Sequence, residues 1–371
     1  MDLEPPVDRP LSGLVVVDAT TELGWYPGKV FSDLGAEIVV LESEDADAED
    51  CPIVWPVGGR SARDVFAGVA GRRRCGDRDA ALAAADILLT SEGPRRLRER
   101  GLHPDDLAAF PRLIHVAMSP FGLDGPYADR PASDLTLLAA GGLLRLAGEP
   151  GRAPVRVAGE QTAVMVGLHA AVGALIAVLA REETGRGQIV DASAQQAVAH
   201  SLENAIQYLD LEGVVRGRTA GTATEVGNGL FRCADGWVYL VAGIGGAPLA
   251  WDGLVAWLEA DGLPAARVTE LREDRWTDPA WRRTHAAAHA FREVFESFAA
   301  NRPKLQLYER AQAHGVSLAP VATPQDLLAS PQLAARAFFR TVEIDGQPVV
   351  VPGPPYRFEE PVAALPGAAP S

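Results

Sequence analysis

A carboxylate stands at Glu160, in VRVAGEQTAVMVGLH, immediately ahead of a long apolar stretch that closes at Gly185. A negative oxygen at a helix start, beside backbone N–H groups with no intrahelical partner, is where a reactive anion or an anionic ligand would be held. Asp134, His169 and Glu203 are the other groups placed to exchange protons. Asp134 opens a second helical segment, so capping that helix competes with acid or base work. His169 lies within the apolar stretch, where a hydrogen-bonded core imidazole competes with the same role. Positive charge for an anionic ligand must come mainly from arginine, since Lys29 and Lys304 are the only lysines. Arginines cluster at Arg72, Arg73 and Arg74 and again at Arg95, Arg96, Arg98 and Arg100, and their planar forks suit phosphate oxygens. A solvated basic turn is the alternative for the first cluster.

These groups need a scaffold, and the hydrophobic pattern outlines one. Leu168, Val172, Leu175 and Leu179 fall four, three and four positions apart with small Ala and Gly between them. That spacing predicts a buried helix packed closely on a neighbour and stopped at Gly185. QIVDAS then reads as a short strand, and a further helix opens around Gln195. Near the N-terminus, the apolar run from Leu14 to Val17 ends at Asp18; a helix around Pro27 to Leu34 follows, and Gly35 to Glu42 reads as the next strand. Strand, helix and strand in so short a span form a βαβ unit and predict a parallel sheet. Ile87 to Leu89, behind a helix, and RLIHVAMS, ending at Ser119, add buried strands. Further on, LFRCADGWVYLVAGI gives two strands about the turn Asp235-Gly236, and WDGLVAWLEA and THAAAHAFREVFESFAA read as helices. The Gly/Thr-rich GVVRGRTAGTATEVGNG marks a domain boundary, the acidic stretch from 43 to 63 reads as a surface loop, and the terminal ALPGAAPS is expected to fray.

Composition sets the outer limits. With 371 residues and 47% hydrophobic content, the chain can form two domains around large cores. No apolar run reads as a membrane span, and the acidic, proline-bearing MDLEPPVDRP is unlike a signal peptide, so a cytoplasmic protein is expected. Cys51, Cys75 and Cys233 are far apart and odd in number, which predicts reduced thiols and no metal site. A formal charge of −15 argues against broad binding to nucleic acid or an anionic membrane. No GxGxxG follows the first strand, which disfavours a nicotinamide cofactor.

The segment from Gly167 to Val198, with HAAVGALIAVLAREETGRGQIVDAS at its centre, resembles the signature block of the family III (CaiB/BaiF) CoA-transferases. That family includes formyl-CoA:oxalate and carnitine CoA-transferases and 2-methylacyl-CoA racemase. LSGLVVVDAT with FSDLGAEIVVLE, VFAGVAGRRRCG, PFGLDGPYADRPASDLTLLAAGGLLRLAG and HGVSLAPVATPQDLLASPQLAARAFFRTVEI are similar to its other blocks. The resemblance thus extends over nearly the whole chain. It implies an α/β protein whose large, doubly wound parallel-sheet domain is made by residues 1–215 and a C-terminal return, 328–371, with a smaller α/β domain at 225–327. It further implies coenzyme A bound as an acyl-CoA substrate, no metal, and an interlocked homodimer or a pairing with a homologous subunit. Trp25 and Tyr26, in the turn after the first strand, and Arg72, Arg73 and Arg74 then fall beside coenzyme A and its phosphates. Arg95 and Arg96 stand where the family has a CoA-contacting loop of different wording.

The resemblance also implies a chemistry. The family uses an aspartate of a Gly-Asp pair ahead of the long helix; it attacks the acyl-CoA to give a mixed anhydride, then an enzyme thioester. Here the pair is Gly159-Glu160 if a short insertion is admitted, whereas an ungapped alignment puts Ala163 in that place. Glu160 is accordingly either a nucleophile or a helix-start residue in a chain without transferase chemistry. Racemase members place a catalytic histidine directly before the residue matching Asp134; this chain has Ser133. An acyl-CoA isomerase, epimerase or lyase on the same fold, and a non-catalytic subunit of a heteromeric transferase, are the other two readings.

Overall fold

The computed structural model describes residues 9–42, 61–68, 72–218, 225–344 and 346–358. Residues 43–60 of the expected surface loop from 43 to 63, with Cys51, the centre of the Gly/Thr-rich connection and the terminal ALPGAAPS lie outside the described residues; the last three residues of that loop instead cap and open the helix Ala62–Ala67. The chain divides into two compact units, one comprising Met1–Ala147, Pro154–Arg216 and Gln332–Ser371, the other Gly148–Ala153 and Gly217–Pro331.

Six strands carry the first unit: β1 (Val15–Asp18), β2 (Glu37–Leu41), β3 (Arg73–Cys75), β4 (Ile87–Thr90), β5 (Ile114–Ser119) and β6 (Ile189–Ser193). They lie in the order β3-β2-β1-β4-β5-β6, every pairing parallel. Helices fill the connections: α1 (Trp25–Asp33), α2 (Ala62–Ala67), α3 (Arg78–Ala84), α4 (Pro94–Glu99), α5 (Asp134–Ala140), α6 (Leu143–Leu146) and α7 (Gln161–Thr184) precede β6, and α8 (Ala194–His200) and α9 (Ala205–Glu212) follow it. This is the doubly wound arrangement, with the strand order reversing between β1 and β4. Successive side chains of a strand point to opposite faces. Val16, Ile38, Leu89, Val116 and Met118 therefore join Phe31 of α1 and the alanines of α7 in one core. Their neighbours Val17, Val39, Leu41 and Leu88 join Leu82 of α3 and Leu97 of α4 in another.

The long helix α7 corrects one expectation. Its buried face is made of Ala163, Val166, Gly167, Ala170, Ala171, Ala174, Ala177 and Val178, whereas Leu168, Val172 and Leu179 are 46%, 57% and 61% exposed. Small side chains face inward because they let the helix axis approach its neighbours closely. At Gly167 an added Cβ would stand 2.9 Å from Pro27 Cδ and from Tyr26 Cβ of α1. The larger apolar side chains are left on the outer face. A second expectation is corrected with it: among the described residues α7 is long and apolar enough, by length and composition, to cross a membrane. In this fold its inner face covers the sheet, and its buried Arg181 reaches Asp86, ahead of β4, at 2.9 Å. The helix ends at Gly185 in the left-handed conformation, φ 69°.

The second unit pairs Gly236–Val241 antiparallel with Asn228–Cys233 on one side and Ser317–Pro320 on the other. Helices Trp251–Ala260, His285–Ala299 and Lys304–Ala313 belong to the same unit, whose core is aromatic, with Trp257, Trp276, Phe231, Phe291 and Phe295 fully buried. Arg282, also fully buried, donates to the carbonyls of Trp276, Val226 and Ala242 and lies 4.6 Å from the Trp251 ring. In the first unit, the C-terminal hairpin Phe339–Ile344 and Gln347–Pro352 is tied to α1 by Arg340 and Asp33 at 3.1 Å.

Candidate active site

Loops leaving the carboxyl ends of β1, β4 and β5 part where the strand order reverses, and a cleft of about 560 Å³ opens there. Thr21, Glu22, Ser91, Glu92 and Pro120 line it from those loops, and Ser133, Asp134, Arg156, Glu160, Thr162 and Ala163 from the starts of α5 and α7. The first two loops are joined directly: the Thr21 N–H donates to Ser91 Oγ at 2.6 Å, and the two hydroxyls lie 2.9 Å apart. After β5, the FGxxGP turn is fastened by the Gly122 N–H on Ser119 Oγ at 2.8 Å and the Leu123 N–H on Asp191 at 3.0 Å. Gly122 takes a left-handed φ of 99° there. Burial pushes the Asp191 carboxyl above its ordinary value.

Asp134 does not cap its own helix. Ser133 does, in a reciprocal capping box with Thr136. Asp134, one position on, reaches across to α7: Oδ1 accepts the buried Thr162 N–H at 3.0 Å, and Oδ2 faces Arg156 at 3.1 Å. The Thr162 hydroxyl returns a hydrogen bond to the Asp134 carbonyl at 3.4 Å. The starts of the two helices are thereby clasped together at the cleft. Glu160 is the N-cap residue of α7, and its side chain makes no cap bond to that helix. Its carboxylate instead meets Arg63 of α2 at 3.2 Å, and Arg63 is also 3.7 Å from Glu22. Ala163, the residue opposite the family aspartate without a gap, lines the same cleft.

Glu160 and Asp134 are thus brought together. His169 is not: nine residues along α7, it lies about 13 Å farther along the axis, exposed, with its ring 5.1 Å from that of His200. The core-imidazole reading of His169 is corrected by the same turn of the helix that exposes Leu168. Glu203 is an exposed residue at φ 56° after α8 and does not line the cleft. Trp25 and Tyr26 begin α1 half-buried, edge to face at 5.1 Å, and Tyr26 packs on Gly167. Burial, with Asp33 nearby, raises the Tyr26 hydroxyl above its ordinary pKa.

The arginines fall in different settings. Arg72 turns inward and is committed to Asp18 and the Ala67 carbonyl, both at 2.9 Å. Arg73 meets Glu37 at 2.9 Å and Arg74 meets Glu42 at 3.8 Å on the outer edge of the sheet. SEGPRRLRERGL is not a loop but contains α4, where Arg96 contacts Glu92 at 3.8 Å and Glu99 at 3.1 Å, and the Arg95 side chain is exposed. Arg63, Arg156 and Thr162 were missing from the sequence-based site. Arg63 is 97 positions from Glu160 in the chain, and no local spacing links them.

Residues 79–371 match the pattern of CoA-transferase family III. The chain is 38% identical to the BbsE subunit of succinyl-CoA:(R)-benzylsuccinate CoA-transferase from Thauera aromatica, over 93% of this chain and 87% of that one. It is 28% identical to the alpha subunit of succinyl-CoA–L-malate CoA-transferase from Chloroflexus aurantiacus, over 95% and 83%. Identity to formyl-CoA:oxalate CoA-transferase of Streptomyces avermitilis is 25%, over 90% and 85%. A CAIB/BAIF family protein from Brucella suis has the same fold, with a TM-score of 0.77 at 24% identity over 95% of this chain and 93% of that one. On the strength of a family match over most of its length and these relatives, the chain belongs to CoA-transferase family III and is a transferase.

Proposed function

We propose that this protein moves coenzyme A between an acyl-CoA and a dicarboxylic acid, with Glu160 as the carboxylate that carries the group. The observation that carries the reading is the position of Glu160: a carboxylate at the start of α7, opening on the cleft at the carboxyl ends of the parallel strands. A free acid is a poor acyl acceptor, because substitution at its carboxylate must expel an oxide. An enzyme carboxylate removes that barrier in balanced steps. The Glu160 oxygen attacks the thioester carbonyl and releases the CoA thiolate, leaving a mixed anhydride. The thiolate attacks the Glu160 carbonyl carbon and releases the first acid, leaving a glutamyl-CoA thioester. The second acid then repeats the sequence in reverse. Backbone N–H groups of the first turn of α7 other than that of Thr162 are the donors for the oxyanions, and the Thr162 N–H, held by Asp134, keeps that turn in place. The dicarboxylate class is taken from the malate, benzylsuccinate and oxalate transferases among the relatives. Arg95, exposed on α4, is the better placed of the predicted arginines for phosphates, since Arg72 is committed to Asp18 and Arg96 to Glu92 and Glu99.

We further infer that the outer face of α7, with Val172, Ile176 and Leu179 more than half exposed, is covered by a second chain, either another copy or a homologous subunit. Reduced thiols at Cys75 and Cys233 fit a cytoplasmic location. The test of Glu160 is incubation with succinyl-CoA, trapping with hydroxylamine or borohydride, and peptide mass measurement. A modified residue 160 and loss of turnover in Glu160→Gln are expected; turnover with no adduct there would overturn the assignment. A second reading puts the covalent chemistry in a homologous partner. It is favoured by the Arg63–Glu160 ion pair, by Ala163 in the ungapped position and by relatives that are themselves subunits. Turnover by this chain purified alone would dispose of it.

A further inference from the structure

We infer that Arg156 receives the far carboxylate of the dicarboxylic acid and so sets the preference of the cleft for acids charged at both ends; the inference rests on the dicarboxylate reading of the substrate. Arg156 is the one cation among the described residues that line the cleft, where Glu22, Glu92, Asp134 and Glu160 supply four carboxylates. Glu92 is met by Arg100 at 2.5 Å, and Glu160 and Glu22 by Arg63 at 3.2 Å and 3.7 Å. These groups offer an entering anion no net positive charge. Arg156 and Asp134 also balance in charge, but they are presented differently: the Asp134 side chain is 16% exposed, whereas that of Arg156 is 42% exposed.

A guanidinium has five N–H donors on three nitrogens. Nε and Nη2 of Arg156 lie 3.2 Å and 3.1 Å from Asp134 Oδ2, and Nη2 also donates to the Gly159 carbonyl at 3.3 Å. No described residue takes a hydrogen bond from Nη1. Asp134 is itself held by the Thr162 N–H at 3.0 Å, so the cation is fixed in direction before a ligand arrives. The Gly159 carbonyl belongs to the peptide bond that leads into Glu160, which anchors the guanidinium one residue from the proposed nucleophile. Leu23, Leu135 and Leu137 give the cleft an apolar lining for the carbons between two carboxylates. A monocarboxylic acid of the same length leaves Nη1 without its anion, and a site built to hydrogen-bond a group selects against the analogue that lacks it. Arg156 forms no covalent bond; its function is positioning and selectivity. It serves donor and acceptor alike, since succinyl-CoA carries the same free carboxylate as succinate.

The experiment titrates the full-length protein with succinate and with butyrate, which has a methyl group where succinate has its second carboxylate, and reads the dissociation constants by calorimetry. The unaltered protein should bind succinate the more tightly. In Arg156→Gln the ratio of the two constants is expected to fall about tenfold, the lower range for a charge-assisted hydrogen bond because the group is partly exposed. Arg156→Lys, which keeps the charge, should recover part of the preference. Loss of the Asp134 contact acts on both acids alike and cancels in the ratio, so a merely structural role would leave the ratio unchanged. Calorimetry needs no turnover, and the result is therefore independent of the role of Glu160. An unchanged ratio in Arg156→Gln overturns the inference and leaves the dicarboxylate reading standing. Equal binding of the two acids by the unaltered protein overturns that reading and the inference with it.

Discussion

Replacing Asp134 separates two consequences of its geometry. Asp134→Ala strips the wholly buried Thr162 N–H of its acceptor, and an orphaned buried donor costs about 1–3 kcal/mol. The accompanying loss of Arg156, whose side chain is 42% exposed, adds about 0–1 kcal/mol after solvent screening. The alanine variant should therefore lose about 2–3 kcal/mol of stability in the first unit. Asp134→Asn keeps an oxygen for Thr162 and gives up only the negative charge, worth about 0.3–1 kcal/mol at a helix start. A gap of about 1–2 kcal/mol between the two variants is expected, read by calorimetry as separate melting temperatures for the transition that contains this unit. If asparagine proves as damaging as alanine, the charge on Arg156 and not the Thr162 bond holds α5 to α7. If both variants melt with the unaltered protein, the clasp is unimportant.

Three further outcomes follow from features outside the cleft. Burial, then His103, lowers the pKa of His115 to about 4, so below its ordinary value of 6.5 the unfolded chain binds the proton more readily than the folded one. Stability should fall as the pH drops from 6.5 towards 4, by roughly 3 kcal/mol at the lower end, and His115→Gln should lack that component in a pH series of urea melts; parallel curves would refute it. Gly187→Ala would place a Cβ 2.0 Å from the Leu113 carbonyl oxygen, forcing backbone movement between β5 and β6 at a cost of about 1–3 kcal/mol or more, measurable as a lowered urea midpoint. Ile176→Asp, on the exposed stripe of α7, should lower the sedimentation coefficient while leaving the circular dichroism spectrum unchanged. An unchanged sedimentation coefficient would mean that this face is not a subunit contact.

The sheet could be read in the sequence because its strands are short apolar runs bounded by punctuation that has one meaning. Val15–Asp18 and Ile114–Ser119 are buried on both faces, which parallel strands require, and their hydrophobicity is therefore continuous. Gly185 and the Asp235-Gly236 turn likewise mark a helix end and a hairpin by local backbone chemistry alone. The orientation of α7 was not readable in the same way. Periodicity identifies an apolar face, but α7 has two, one small and one large, and size decides which meets the sheet. Alanine and glycine allow close approach; leucine and isoleucine are left for whatever lies outside.

The site divides along a similar line. Glu160 and Asp134 were visible because each stands at a helix start, a position that the sequence marks. Their partners were not, since an ion pair between Arg63 and Glu160, or a bond from the Thr162 amide to Asp134, exists only once separate crossovers are laid against the same sheet edge. The arginine triplet was misleading for the converse reason. Arg72, just ahead of β3, goes inward to Asp18, while Arg73 and Arg74 on the strand turn out to Glu37 and Glu42. A run of like charges in sequence is therefore no guide to a single patch in space. Arg156, which lines the cleft, and Arg63, which meets Glu160 and Glu22 of its lining, both stand outside the basic clusters of the sequence.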